Sequence, residues 1–161
     1  MIVVSDTSPL SNFLVVNHLN LLKTLYGEII IPEAVMQELL ELEKRRIDLS
    51  IIKNSTWIKV LPVEDKKAVK ALLPEVDLGE AEAITLAKQL KADWLLMDET
   101  KGRRIAEAEG LHVIGLLGTL LLAKKKGMLK EIKSILDEII SKAKFRISKE
   151  LYERVLALAG E

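Results

Sequence analysis

The sequence has no cysteine, two histidines and few aromatic side chains. Aromatic residues make up 4% of its 161 residues. Disulfides and thiolate metal sites are therefore excluded, and a zinc site built from Cys and His ligands is not expected. The chain also offers no array of aromatic rings on which the bases of single-stranded RNA would stack. These absences favour oxygen ligands for any metal site.

The chain also lacks an excess of charge and a long apolar run. Lys and Arg together number 24, as do Asp and Glu, so the net charge is zero. A strongly basic nucleic-acid-binding protein is not indicated, whereas a local basic patch is still compatible with this balance. The longest apolar run, residues 116–123, is too short for a membrane span, and the first residues predict a strand rather than a signal peptide. We expect one folded domain in the cytoplasm.

Strand and helix patterns alternate along the chain. Apolar and β-branched runs predict strands at 2–5, 28–31, 57–61, 95–97 and 112–114. Helical patterns are found at 9–16, 19–25, 32–44, 66–73, 77–90, 101–109 and 116–126, and two more follow at 129–143 and 148–158. Such alternation predicts an α/β fold whose parallel sheet is covered by helices on both faces.

Two aspartates follow predicted strands at their carboxyl ends. Asp6 ends the run 1–6, and Asp98 ends the run 93–98. The carboxyl ends of parallel strands meet along one edge of a sheet, where ligands bind. Two carboxylates there repel each other unless a proton or a metal ion lies between them. Each also has a structural alternative as the cap of the helix that follows it.

Two glutamates lie on the apolar faces of predicted helices. Glu38 follows Val35 by three residues and so lies on the buried stripe of its helix or at its edge. Glu80 is followed three residues later by Ala83, on a face of small residues. A buried carboxylate is costly unless it is paired or bound to a metal. The alternatives are a Glu38 that reaches water and, for Glu80, the preference of a helix's first turn for acids.

Four acids from four separate elements thus converge on one end of the predicted sheet: Asp6, Glu38, Glu80 and Asp98. Oxygen ligands favour Mg²⁺ or Mn²⁺. Such an ion lowers the pKa of a bound water, and its charge stabilises the pentacovalent transition state of phosphodiester cleavage. The residues therefore predict a divalent-metal site with phosphodiester chemistry.

Four motifs, in order over residues 1–118, resemble those of the PIN-domain family of metal-dependent ribonucleases. They are Val-Val-Ser-Asp-Thr-Ser ending at Ser8, Ile-Pro-Glu-Ala-Val-Met-Gln-Glu-Leu ending at Leu39, Leu-Gly-Glu-Ala-Glu-Ala-Ile-Thr-Leu-Ala ending at Ala87, and Leu-Leu-Met-Asp-Glu-x-x-Gly-Arg-Arg ending at Arg104. The last two resemble a prokaryotic branch close to VapC-type toxins. No motif is specific alone, and the resemblance depends on the ordered set.

The resemblance implies a PIN-like three-layer α/β/α sandwich with a five-stranded parallel sheet in the order 3-2-1-4-5. Residues 1–127 would form the catalytic domain, and 128–161 a C-terminal helical extension of it.

The resemblance also implies that the four acids are catalytic and hold Mg²⁺ or Mn²⁺. Ser8 matches a small hydroxyl residue that orients Asp6 or a metal-bound water. Among the cations after the fourth strand, Arg103 is the best candidate for contact with an RNA phosphate. Glu80 stands where many members have Asp, and Glu99 competes with Asp98 for the fourth ligand position.

The implied function is an endoribonuclease, the toxin of a type II toxin–antitoxin pair, that leaves a 5′-phosphate and a 3′-hydroxyl. Its partners would be RNA, an antitoxin whose C-terminal segment blocks the acidic cleft, and a second copy of the chain. The alternative is a catalytically inactive PIN-like module that binds RNA or protein. A phospho-acceptor receiver domain is disfavoured, because such a domain has an acidic pair after its first strand and a lysine after its fifth, where this chain has Gly115.

Overall fold

The computed structural model describes residues 1–143 and 145–161 and contains a five-stranded parallel sheet. The strands are β1 (Val3–Ser5), β2 (Ile29–Pro32), β3 (Ile58–Leu61), β4 (Trp94–Leu96) and β5 (Val113–Ile114). They pair in the order β3-β2-β1-β4-β5, and every pair is parallel. The predicted α/β class and the predicted strand order are confirmed.

The helices of the described residues lie between and after these strands. They are α1 (Thr7–Val15), α2 (Leu19–Tyr26), α3 (Glu33–Glu41), α4 (Ser50–Lys53), α5 (Lys66–Leu72), α6 (Leu78–Leu90), α7 (Thr100–Ala108), α8 (Leu116–Lys125), α9 (Lys133–Lys142) and α10 (Lys149–Leu158). A 3₁₀ helix, Leu42–Arg45, continues α3. In the part of the chain described, no helix is long and apolar enough to cross a membrane.

One helix was missed, and the predicted starts of two others were wrong. The helix α4 was not predicted, because four residues are too few to show a helical period. The helix expected at 9–16 begins at Thr7, so Ser8 lies inside it and Asp6 occupies the N-cap position. The tail helix expected from residue 129 begins four residues later, at Lys133.

Alternate strand residues enter two apolar cores, one on each face of the sheet. Val3 and Leu96 belong to one core, and Val4 and Leu95 to the other, as expected from the two-residue period of a strand. The first core also contains Leu136 of α9, which is fully buried. The sheet is therefore the middle layer of three, and the C-terminal helices pack into the same core as the rest of the chain.

Candidate metal centre

Asp6 and Asp98 lie just beyond the carboxyl ends of the neighbouring central strands β1 and β4. Ser5 pairs with Leu96 in the last register position, and the N–H of Asp6 donates a 2.9 Å hydrogen bond to the Leu96 carbonyl. The hydrogen bonding between β1 and β4 therefore continues as far as Asp6 and fixes the position of its backbone. Asp6 is 6% exposed, whereas Asp98 is half-buried.

Ionisation of the Asp6 carboxyl group is energetically unfavourable. Burial raises its pKa to about 7, and the N–H of Thr7 opposes this shift by hydrogen bonding to the carboxylate. The negative charges of Glu38, Asp77 and Asp98 raise the pKa further. A bound cation would offset both the lost hydration and this repulsion.

Glu38 projects from α3 towards the same edge of the sheet. The hydroxyl of Thr7, at the start of α1, donates a hydrogen bond to Oε2 of Glu38. Burial raises the pKa of Glu38, this hydrogen bond lowers it, and the charge of Asp77 raises it. The helix α6 passes so close that a Cβ built on Gly79 would lie 2.8 Å from Oε2 of Glu38. The space for this carboxylate therefore depends on glycine.

Glu80 lies in the first turn of α6. Burial raises its pKa to about 8, with the nearby Asp77 and then the charges of Asp6 and Glu99 adding to the shift. A Cβ built on Gly102 of α7 would lie 2.9 Å from Oε2 of Glu80. A second glycine thus makes room for a second glutamate of the candidate site.

Asp98 is held through both of its oxygen atoms. Oδ1 accepts a 2.7 Å hydrogen bond from the N–H of Leu116, and Oδ2 accepts a long, 3.5 Å hydrogen bond from Nδ2 of Asn12. Burial raises the pKa of Asp98, while the Leu116 hydrogen bond, Arg103 and Asn12 lower it. Asp98 therefore binds the start of α8, and Glu99 rather than Asp98 occupies the N-cap position of α7.

Arg103 lies beside Asp98. A Cβ built on Gly115 would meet Nη1 of Arg103 at 2.6 Å and Oδ1 of Asp98 at 3.0 Å, so both side chains pass close to this glycine. The guanidinium group lowers the pKa of the Asp98 carboxyl. Arg103 thus partly neutralises the negative charge of Asp98 at the edge of the candidate site.

The remaining candidates take different positions. Glu99 is exposed beside the half-buried Asp98. Ser8 is also exposed, and the hydroxyl that bonds a carboxylate of the site belongs to its neighbour Thr7. Glu82 accepts a 3.0 Å hydrogen bond from the N–H of Ala34. Glu82 therefore stabilises the start of α3, where the free N–H groups and the helix dipole favour an anion.

Three residues near the carboxylates were missed by the sequence analysis: Thr7, Asn12 and Asp77. Asp77 caps α6 by accepting a 2.8 Å hydrogen bond from the N–H of Glu80. An Asp three residues before a Glu at a helix start is a capping signal that could have identified it. No comparable local pattern marks Asn12, because its partner is 86 residues away in the sequence.

The candidate ligand atoms of the four acids are all carboxylate oxygens, which are the type of donor that a hard divalent ion prefers. Within residues 1–143 and 145–161, no three acidic or histidine side chains lie close enough together to surround one ion. Mg²⁺ rarely needs such a cage, because it keeps several waters and is commonly bound by one or two carboxylates together with substrate phosphates. The arrangement therefore fits an ion that keeps several of its waters, rather than one enclosed in a protein cage.

The family follows from a comparison with protein-family models. A model described as a PIN domain matches residues 2–161. The chain belongs to the PIN-domain family. No curated protein matches the sequence closely enough to count as a relative. The PIN domain is a nuclease-type fold, and PIN domains are generally hydrolases that use divalent metals.

The family match also covers the C-terminal part of this PIN domain, since it extends through α9 and α10. The PIN-domain resemblance stated from the motifs is therefore confirmed. Membership of the VapC-like branch, the four metal ligands and the boundary at residue 127 stay predictions.

Proposed function

We propose that this PIN domain is a Mg²⁺- or Mn²⁺-dependent endoribonuclease that hydrolyses phosphodiester bonds in RNA. The observation that supports it is the set of four acids with raised pKa values around the carboxyl edge of the sheet: Asp6, Glu38, Glu80 and Asp98. Burial is the main cause of each raised pKa, and the charges of Glu38 and Asp98 act on Asp6 while that of Asp6 acts on Glu80. Such an arrangement destabilises the free protein and favours a bound cation.

Each acid would have a definite task in this reaction. Asp6, the most buried of the four, would bind the ion from the centre of the sheet, and the fixed Asp98 would bind it from the neighbouring strand. Glu38 of α3 and Glu80 of α6 would hold metal-bound waters or the ion itself. When bound, the ion lowers the pKa of a water and neutralises charge on the phosphate.

The bond changes are those of hydrolysis. The water oxygen bonds to phosphorus, the bond from phosphorus to O3′ breaks, and O3′ takes up a proton. The products are a 5′-phosphate and a 3′-hydroxyl. Arg103 is placed beside Asp98 to contact the phosphate, because a guanidinium group forms forked hydrogen bonds with phosphate oxygens.

We also propose that the protein is a cytoplasmic toxin of a type II toxin–antitoxin system. The support is the resemblance of the motifs around Glu80 and Asp98 to VapC-type toxins. An antitoxin segment would bind over the carboxylate edge and block it, and two copies of the chain would pair. Coexpression with the protein encoded next to it tests this point, since a cognate antitoxin should copurify and abolish cleavage.

Cleavage of a labelled tRNA pool with Mn²⁺, with Mg²⁺ and with EDTA tests the enzymatic function. Metal-dependent cutting should be lost in Asp6→Asn and retained in Asp93→Asn. Asp93 is a matched control because it precedes β4, at the opposite end of the strand from Asp98, and its Oδ2 accepts a 2.6 Å hydrogen bond from the N–H of Ile2.

Two results would contradict the proposal. Cutting that persists in Asp6→Asn would place the nuclease activity outside the carboxylate edge. Absence of both cutting and Mn²⁺ binding by calorimetry would instead favour the alternative, a PIN-like module that binds RNA or protein without catalysis.

A further inference from the structure

Within the described part of the chain, the arginines form no salt bridge, although Arg103 lies close enough to Asp98 to lower the pKa of its carboxyl. Every salt bridge between described residues uses a lysine. The six arginines of the sequence, Arg45, Arg46, Arg103, Arg104, Arg146 and Arg154, form none within that part of the chain. A guanidinium group has a rigid fork of donors that matches phosphate. Arginines that form no salt bridge are therefore available for a polyanion.

Four of these arginines line two cavities that meet at Asp98. Arg103, Arg104 and Arg146 line the first cavity, and Arg45 and Arg146 line the second. Arg146 belongs to both, although it lies far from the others in the sequence. A chain with zero net charge thus concentrates its arginines beside the proposed active site, where local attraction of phosphates is needed.

Phe145 lies between the same two cavities. It is half-buried and packs against the apolar core, and it lines both cavities beside Arg146. An aromatic ring anchored in this way provides a fixed surface for a base to stack on, and stacking of this kind tolerates any base. A ring and a guanidinium group in adjacent positions match the alternation of bases and phosphates in a single strand.

The acids that face these cavities are few. Glu107 lines the first cavity, Glu99 lines the second, and Asp98 lines both. Glu99 and Asp98 lie at the carboxylate edge, where a bound cation would neutralise them. Away from that edge, the arginines exceed the acids, which favours a negatively charged ligand.

We propose that Phe145 and Arg146 form a subsite for a single-stranded segment of RNA next to the cleavage site. Arg146 binds a phosphate, Phe145 stacks on an adjoining base, and Arg45 contacts the strand as it leaves along the second cavity. This assignment of the substrate path rests on the proposed function, because it takes RNA as the substrate. Its test separates RNA binding from cleavage.

The test is fluorescence anisotropy of a short unstructured RNA with the full chain in EDTA, over a range of salt concentrations. Arg146→Ala should weaken binding about tenfold at low salt and reduce the slope of log Kd against log salt by about 0.7, the value for one phosphate of a single strand. Arg154→Ala is the control, because this exposed arginine of α10 lines neither cavity. It should leave both the affinity and the slope unchanged.

Phe145 needs a different readout, since it carries no charge. Phe145→Ala should weaken RNA binding about tenfold with an unchanged salt slope, and Phe145→Trp should restore binding. Arg146→Lys keeps the positive charge but lacks the forked donors of a guanidinium group. It should therefore retain the slope of log Kd against log salt and lose part of the affinity. Thermal unfolding of each variant would show that these losses do not come from misfolding.

The outcomes distinguish this subsite from the nuclease itself. RNA binding that depends on Arg146 and Phe145, in a protein that never cuts, would support the subsite and refute the nuclease. Wild-type affinity and salt slope in Arg146→Ala and Phe145→Ala, with cleavage intact, would overturn the subsite and leave the nuclease. Preference for an acidic peptide over RNA, lost in Arg146→Ala, would also overturn it by assigning the cavities to a protein partner.

Discussion

The hydroxyl of Thr7 donates a hydrogen bond to the carboxylate of Glu38, and so joins the first residue of α1 to α3. The N–H of the same residue stabilises the charged form of Asp6. Thr7 therefore supports two acids of the candidate metal centre, although it is not itself a ligand in the proposed function. Its contribution can be separated by removing the hydroxyl and leaving the backbone in place.

Thr7→Val should weaken Mn²⁺ binding several-fold while the fold is retained. Valine has nearly the same shape, but it cannot donate the hydrogen bond that favours the charged form of Glu38. Calorimetric titration of Mn²⁺ measures the effect, and Thr7→Ser, which keeps the hydroxyl, should bind nearly as well as wild type. Equal affinity in Thr7→Val and wild type would show that this hydrogen bond does not support the site.

The metal-free protein should become less stable as the pH rises towards 8. The pKa of Asp6 is raised from 3.8 to about 7, and that of Glu80 from 4.5 to about 8. Between the unfolded and folded values the folded state binds more protons, so the free energy of unfolding falls as the pH rises through this window and levels off above it.

Asp6→Asn removes the costly charge and should raise the Tm at pH 8 by on the order of 5 °C in EDTA, with a smaller gain at pH 5. Thermal unfolding of wild type and variant at both pH values measures this. A wild-type Tm that increases from pH 5 to pH 8 without metal would contradict the assigned shifts.

Gly102→Ala should reduce RNA cleavage strongly. The new Cβ would lie 2.7 Å from Sδ of Met97 and 2.9 Å from Oε2 of Glu80, so the carboxylate must move. The matched control is Gly118→Ala, whose Cβ would meet the side chain of Ile114 at 2.9 Å and no acidic side chain within 4 Å. Cleavage rates of both folded variants test the point, and equal activity would show that the position of Glu80 does not matter.

Asp98→Asn should abolish cleavage, whereas Glu99→Gln should retain most of it. Both oxygens of Asp98 are hydrogen-bonded from α1 and α8, while Glu99 is exposed at the start of α7. A fixed, partly buried carboxylate is the better metal ligand, since little side-chain freedom is lost on binding. Single-turnover cleavage by the two variants decides between these neighbours, and the reverse order would transfer the fourth ligand position to Glu99.

Mn²⁺ should bind at least about tenfold more tightly when RNA is present. Among the described residues no three acids form a ready cage, so a phosphate would complete the coordination of the ion. Calorimetry with and without a non-cleavable phosphorothioate RNA measures the difference. Equal affinity in both titrations would indicate a complete protein site.

The sequence predicted the sheet well, because short β-branched runs separated by amphipathic helices leave few alternatives. The five observed strands lie within one residue of the predicted bounds at each end. The order of the strands came from the family resemblance rather than from the pattern. The short α4 was missed, and the start of α1 was displaced because Pro9, expected at its first position, lies at its third.

The candidate site was predicted only in part. The four acids could be named, since a carboxylate at a strand end or on an apolar helix face is locally visible. The residues around these acids could not be named from the sequence. Asn12 and Leu116 both donate hydrogen bonds to Asp98, and these are tertiary contacts between separate elements. The roles of the four acids as metal ligands stay predictions.

The order of the strands means that parts of the candidate site are synthesised at different times. The central strand β1 lies between β2 and β4, and its neighbour Ile2 is bonded to Asp93, 91 residues further along the chain. During synthesis β1 is made before β4, and pairing between strands so distant in the sequence forms late. Leu116, which donates a hydrogen bond to Asp98, is synthesised later still. A growing chain therefore carries Asp6 while all the residues up to Asp98 are synthesised, before the acidic edge exists.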